Sequence, residues 1–244
     1  MLKNMFKKYK LSLLKRRHLI FGNGFTIENI YDCKWLIDWT NSVDKNLAVK
    51  RHEDDQIVFL LDKIKKLKPE IFIDIGAHGG LYSILVKKNF PDITVHSFEP
   101  DKQNRFQFYA NLFLNNLEDS IKIHDLGLSN ISGQTSFGIK EKLRRGGKGI
   151  NPSGLETIKI DTLDNIFNFD KKTCFIKIDV EGHEKEVLEG SKNILRNNYC
   201  FIQTEILNEN TKNNIFKTMK DFNYNYVSKI DNSNAPDYYF TNIY

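Results

Sequence analysis

The sequence predicts an α/β protein built on a mostly parallel, doubly wound sheet that closes with an antiparallel hairpin at the C-terminus. Three observations carry that expectation. Five short β-branched or aromatic runs, 71–75, 93–98, 121–126, 174–180 and 200–206, alternate with helical segments, the pattern of strands joined by crossover helices. A glycine-rich turn follows the first run, at the strand end where such sheets receive ligands. Two last runs, 224–230 and 237–243, are separated only by a polar turn, so they read as antiparallel neighbours.

The elements follow in order. Residues 1–50 read as an N-terminal extension ahead of a main domain at 51–244. The extension holds a basic amphipathic segment and then an aromatic-rich stretch at 31–39. In 53–67 the residues Ile57, Leu60, Leu61, Ile64 and Leu67 recur at helical spacing, and Pro69 marks the end. Further helices are expected at 80–90, 102–116, 161–168, 184–196 and 211–222. Between the third and fourth strands, 135–140 and 154–160 read as a strand pair flanking the loop 140–153.

Composition bounds the function classes. Hydrophobic residues make up 40 % and aromatics 12 % of 244 residues, enough for a real core, which excludes wholesale disorder. The longest apolar runs, 57–61 and 199–202, fall far below the ~20 residues of a spanning helix. The three cysteines have no metal-type spacing, and the start lacks the apolar stretch and cleavage site of a signal peptide. A cytoplasmic protein is therefore expected. Lys3, Lys7, Lys8, Lys10, Lys15, Arg16 and Arg17 all precede the first acid, Glu28. Subtracting these seven from the formal charge of +5 leaves −2 for the rest. That speaks against a nucleic-acid-binding body. It leaves the basic arm as a candidate for peripheral contact with an anionic polymer or the inner membrane face.

The densest local signal is 72–83, where Asp74 precedes Gly76, Ala77, His78, Gly79 and Gly80. Glycines in a strand-to-helix turn allow positive φ and close backbone approach to a ligand. The order G-A-H-G-G departs from G-x-G-x-x-G, and no Gly-Lys-Ser/Thr follows. An acid at Asp74 suits a ligand carrying positive charge, such as an amino group or sulfonium, and His78 could touch its methionine end. Glu99 ends the second strand, where a carboxylate can accept both ribose hydroxyls. Nicotinamide-binding and S-adenosylmethionine-binding sheets share that feature, but together with this turn it favours S-adenosylmethionine. Asp125 would lie near an adenine.

The second signal is 176–184. Lys177 and Asp179 share one face of a strand, and a polar face must be paired, solvated or functional. Glu181 and His183 fall in the following turn, and Lys177, Asp179, Glu181 and His183 make up the candidate catalytic set. Acids at a helix start also offset its dipole, which accounts for Glu181 and Glu184 structurally. The functional account has His183 as the base for a hydroxyl acceptor, because it titrates near neutral pH. Asp179 or Glu181 would then orient it or bind acceptor hydroxyls. Asp179, Glu181, His183 and Glu205 could instead hold a divalent cation. In 140–153, Arg144, Arg145 and Lys148 are placed to meet an anionic sugar or phosphate, with Gly146 and Gly147 as hinges.

The segments 72–84, 96–101, 111–116, 127–129, 160–164 and above all IKIDVEGHEKEVLEG at 176–190 resemble the FkbM family of methyltransferases. The resemblance spans about residues 53–207. It implies a Rossmann-like class I methyltransferase fold, S-adenosylmethionine as donor, and O-methylation of a hydroxyl. The implied acceptor is a sugar of a surface polysaccharide or a related metabolite. It also implies that Asp74 to Gly80 hold the methionine portion, that Glu99 holds the ribose, and that Asp179, Glu181 and His183 face the acceptor. His78 departs from the family, which more often has asparagine there. A nicotinamide-dependent oxidoreductase and a non-catalytic adaptor are the competing readings, with RNA methylation a third.

Overall fold

The structure is a computed structural model that describes residues 24–50, 53–139, 148–231 and 235–243. It begins with a hairpin of β1 (Phe25–Ile30) and β2 (Cys33–Asp38), paired from Phe25↔Asp38 to Ile30↔Cys33. Tyr31 and Asp32, the two turn residues, both take positive φ, the conformation whose twist matches a two-residue hairpin. Helix α1 (Ser42–Lys50) and helix α2 (Asp54–Leu67) follow. Ile57, Leu60 and Ile64 of α2 are buried along one stripe, and the helix ends at Lys68 in a left-handed cap before Pro69.

Seven of the described strands form the main sheet, in the order β12-β13-β11-β10-β3-β4-β5. They are β3 (Ile71–Ile75), β4 (Thr94–Phe98), β5 (Ile121–His124), β10 (Thr173–Ile178), β11 (Tyr199–Glu205), β12 (Asn225–Ile230) and β13 (Asp237–Thr241). The five strands read from the sequence pair in parallel, and β13 and β12 close the edge in antiparallel register. The strand order reverses at the β3–β10 pair, which opens a crevice at their carboxyl ends.

Alternation along the strands sorts two cores. Phe72, Phe175 and Phe201 point to one face, where Trp35, Ile37, Trp39, Leu47, Leu60 and Ile64 cover them. Ile73, Ile176 and Ile202 point to the other, against Val187, Leu188, Leu195 and Met219. The described part of the extension, from β1 through α1, therefore shares a core with the sheet, and a boundary at residue 50 divides no packing unit.

Helices α3 (Leu81–Asn89), α4 (Lys102–Leu114) and α8 (Glu209–Asp221) lie close to their expected places. Two others differ. The helix expected at 161–168 is a single turn, α5 (Leu163–Ile166), capped by the Thr162 hydroxyl. The one expected at 184–196 breaks into α6 (Glu184–Glu189) and α7 (Lys192–Asn197). Gly190 sits at the break, where an added Cβ would lie 1.9 Å from the Ser129 carbonyl oxygen. The expected strand pair exists as β7 (Gly133–Ile139) and β9 (Glu156–Asp161), but in a separate four-stranded sheet. That sheet runs β6-β9-β7-β8, with β6 at Gly127–Leu128 and β8 at Lys148–Ile150.

Gly80 opens α3 at φ 86°, with its missing Cβ 2.1 Å from the Phe108 ring of α4. Gly80→Ala combines a left-handed strain with a core clash, and is expected to cost about 2–4 kcal/mol. Chemical denaturation of the two proteins measures it.

Candidate active site

A cavity of about 460 Å³ opens at the carboxyl ends of β3, β4, β10 and β11. A smaller one of about 80 Å³ adjoins it, and the two share Val43, Glu53, Gly76, His78 and Asp179 as walls. The floor is the turn after β3. Gly76 has φ 81°, and a Cβ there would lie 1.8 Å from the Asp179 carbonyl oxygen, so the turn can approach the end of β10 only with glycine. His78, also left-handed at φ 49°, donates its backbone N–H to the Glu99 carboxylate at 2.8 Å.

Glu99 faces the larger cavity. It is buried, accepts a second bond from the Asp101 N–H at 2.8 Å, and burial raises its carboxyl above the usual range against these donors. Asp74, Ala77 and Gly79 line the smaller cavity. Asp74 is fully buried, with one oxygen bonded by the Ser83 hydroxyl at 2.6 Å. Its other oxygen and His78 Nε2 are buried without a hydrogen-bond partner among the described residues. Gly80 lines neither cavity and serves packing. Asp125 also lines neither: β5 ends at His124, the carboxylate turns to solvent, and Gly127 and Leu128 form that wall instead.

The acceptor-side expectations divide. Asp179, Glu181 and His183 line the larger cavity together with Glu205 at the end of β11. Lys177 does not reach it. Its buried ammonium, in the smaller cavity's wall, bonds Asp179 at 3.0 Å and lies 4.5 Å from the centre of the Tyr82 ring. Burial alone would lower its pKa, but Asp179 and Asp74 outweigh this and raise it above the ordinary lysine value. It is a positioning residue. His183 Nε2 lies 2.9 Å from the Ser129 hydroxyl and its Nδ1 3.5 Å from Glu186. A hydroxyl at one ring nitrogen and a carboxylate near the other orient the imidazole at the cavity wall. Glu181 sits at φ 57° ahead of Gly182 at φ 95°, an uncommon conformation for a non-glycine residue that puts a carboxylate at the cavity wall. Glu184 is fully buried and bonds the Gly182 N–H, in keeping with its structural reading.

Burial, with Asp179 and Glu181 close by, pushes the Glu205 carboxyl up to about 10. No three His, Cys, Asp or Glu side chains among the described residues are grouped to hold a metal ion, so the cation alternative for Glu205 and its neighbours lacks a cluster. Lys148 does line the cavity, but bonds Asp101 at 2.5 Å and Glu156 at 2.7 Å. Arg144, Arg145 and the glycine hinges lie outside the described residues, as does the basic arm.

Sequence reasoning missed α1 and Glu53. Ser42, Val43 and Asn46 form part of the cavity wall, and Glu53 accepts the Tyr82 hydroxyl at 2.6 Å while lining both cavities. An acid just before an apolar helix looks like a cap, and no local pattern distinguishes it.

A model of the methyltransferase FkbM domain matches residues 74–226. The chain belongs to the FkbM methyltransferase family. The FkbM chain is 27 % identical over 156 residues to the hexuronic acid methyltransferase AglP of Haloferax volcanii, covering 63 % of this chain and 62 % of that one. It thus spans less than two thirds of the curated relatives it matches. Its fold is that of class I methyltransferases. The methyltransferase FkbM from Methylobacillus flagellatus superposes with TM-score 0.52 at 18 % identity, over 70 % of this chain and 43 % of that one. The Pyrococcus abyssi tRNA (uracil-54, C5)-methyltransferase gives TM-score 0.52 at 13 % identity, over 91 % and 44 %.

Asp237 at the start of β13 bonds Gln203 at 3.1 Å. Burial raises its carboxyl to about 7, with Lys177 pulling the other way. The folded state then holds a proton that the unfolded chain releases near pH 4. Its contribution to stability is complete below about pH 4 and is lost as pH rises through about 7. Asp237→Asn should flatten that decline, and urea denaturation across the window reads it directly.

Proposed function

We propose that this chain is an S-adenosylmethionine-dependent O-methyltransferase acting on a hydroxyl of a sugar. The observation that carries the reading is one cavity with Glu99 on one wall and Asp179, Glu181 and Glu205 on another. Family membership favours methyl transfer over the nicotinamide and adaptor readings, and the name of the Haloferax relative supports a carbohydrate acceptor.

The residues present fit the cofactor. The cavity volume lies within the ~300–1,000 Å³ of small-molecule sites. The left-handed turn at Gly76 lies at the cavity floor, and Asp74 and His78 each hold a buried polar atom without a hydrogen-bond partner among the described residues. Glu99 would accept the ribose hydroxyls, and the turn 76–79 with Asp74 would hold the methionine portion. When bound, S-adenosylmethionine supplies an electrophilic methyl group on a sulfonium. Glu181, at the cavity wall, would take the proton that the acceptor hydroxyl gives up on methylation. Glu205, protonated at neutral pH by its raised pKa, donates a hydrogen bond to the acceptor. Lys177 holds Asp179 in place, and Ser129 and Glu186 hold His183 and with it the turn. Holding an acceptor hydroxyl in line behind the methyl group is the larger part of the rate gain.

Methyl transfer to a panel of sugars, read by mass spectrometry, tests the activity. Glu181→Gln is expected to lower kcat by about 10²-fold or more with KM for S-adenosylmethionine unchanged. Transfer to nitrogen or carbon instead, or a Glu181→Gln enzyme of full rate, would contradict the proposal.

A further inference from the structure

The smaller cavity joins the larger one across Glu53, Gly76, His78 and Asp179, which line both. His78 bonds Glu99 through its backbone N–H, so the passage between them starts beside the ribose-binding candidate. Among the described residues, Asp44, Glu53, Asp74 and Asp179 line the smaller cavity against a single ammonium, Lys177. Two of these acids are already served. Asp44 accepts the Asp38 N–H and the Gln107 amide, and Lys177 bonds Asp179. Asp74 is fully buried, and its Oδ1 meets no donor among the described residues. A buried carboxylate oxygen left in that state is costly, and a cationic donor entering the cavity would relieve it.

Glu53 supplies the second half of the argument. It occupies the N-cap position of α2, yet its side chain makes no cap bond and its φ is 72°, a conformation that its surroundings must hold in place. The carboxylate turns instead to the Tyr82 hydroxyl at 2.6 Å and to the walls of both cavities. We propose that Glu53 is a cofactor-binding residue, which together with Asp74 receives the α-ammonium of the methionine portion of S-adenosylmethionine in the smaller cavity. The inference rests on the cofactor reading above and adds to it a residue from outside the glycine turn. An ammonium carries three donors, and Asp74 Oδ1 and the Glu53 carboxylate accept two of them. The passage by Gly76 and His78 links this cavity to the one that Glu99 faces, as a ligand with a ribose in its middle and an amino acid at its end requires. Tyr82 is a positioning residue here, since its hydroxyl holds Glu53 while its ring covers Lys177.

The test is titration of two probes into the full-chain wild type and Glu53→Gln, with no turnover involved. One probe is S-adenosylhomocysteine; the other is S-adenosyl-4-thiobutyrate, which keeps the carboxylate and lacks the amine. The wild type is expected to prefer S-adenosylhomocysteine by about 10²-fold, the effect of two charge-assisted bonds. Glu53→Gln should narrow that preference about tenfold or more, by weakening for S-adenosylhomocysteine alone. Glutamine keeps an oxygen that accepts the Tyr82 hydroxyl, so a role confined to that bond would leave the preference intact. An unchanged preference in the variant would overturn the proposal, as would an equal loss for both probes in a variant that melts like the wild type. A wild type indifferent to the amine would overturn it whatever the variant does. A wild type that binds neither probe would instead overturn the cofactor reading, and this inference with it.

Discussion

A single buried ammonium organises this molecule. Lys177 stands in register with Asp74 across the β10–β3 pair, bonds Asp179, and packs over the ring of Tyr82, whose hydroxyl reaches Glu53. Desolvating a lysine costs several kcal/mol unless it is paired, so the fold must bring these acids to it. In doing so it ties the turn after β3, the end of β10, the start of α3 and the entry to α2 into one network. Asp179 sits at the outer end of that network and faces the cavity. The buried pairing and the site's geometry are therefore one constraint. The hairpin and α1 pack over this face of the sheet.

Much of this was legible in the sequence, for identifiable reasons. Strand alternation and helical spacing revealed the parallel strands and the closing hairpin, though not their order in the sheet, because these elements are strongly patterned. Gly76 and Glu99 were recognisable because a strand end, a turn and a carboxylate fall at fixed offsets along the chain. What remained hidden depends on contacts distant in sequence. Gly190 breaks a helix because Ser129 lies against it. Lys177 leaves the expected catalytic set because Asp74 and Asp179 draw its ammonium inward. Asp125 turns outward because β5 ends one residue earlier. Glu53 and α1 reach the cavity only through tertiary packing.

The separate sheet adds the remaining wall. Phe137, Lys148, Ile150 and Ile158 line the cavity. Lys148 ties this wall to Asp101, the cap of α4 two residues beyond Glu99. Burial raises the Asp101 carboxyl, but the lysine bond outweighs it and holds the group below its usual range. One ion pair thus joins the wall over the cavity to the strand end carrying the ribose-binding candidate. The acceptor would meet carboxylates on the β10 and β11 side and apolar side chains on this one, an arrangement suited to a polyhydroxyl ligand with an apolar face.

The central claim is that the cavity at the β3–β10 switch binds S-adenosylmethionine through Glu99. Isothermal titration of S-adenosylhomocysteine into the wild-type protein and into Glu99→Ala tests it most directly. The account predicts micromolar binding in the wild type and a loss of about 10²-fold or more in the variant, the effect of removing a buried carboxylate from two hydroxyls. Equal affinity in the two proteins, or none in the wild type, would contradict it.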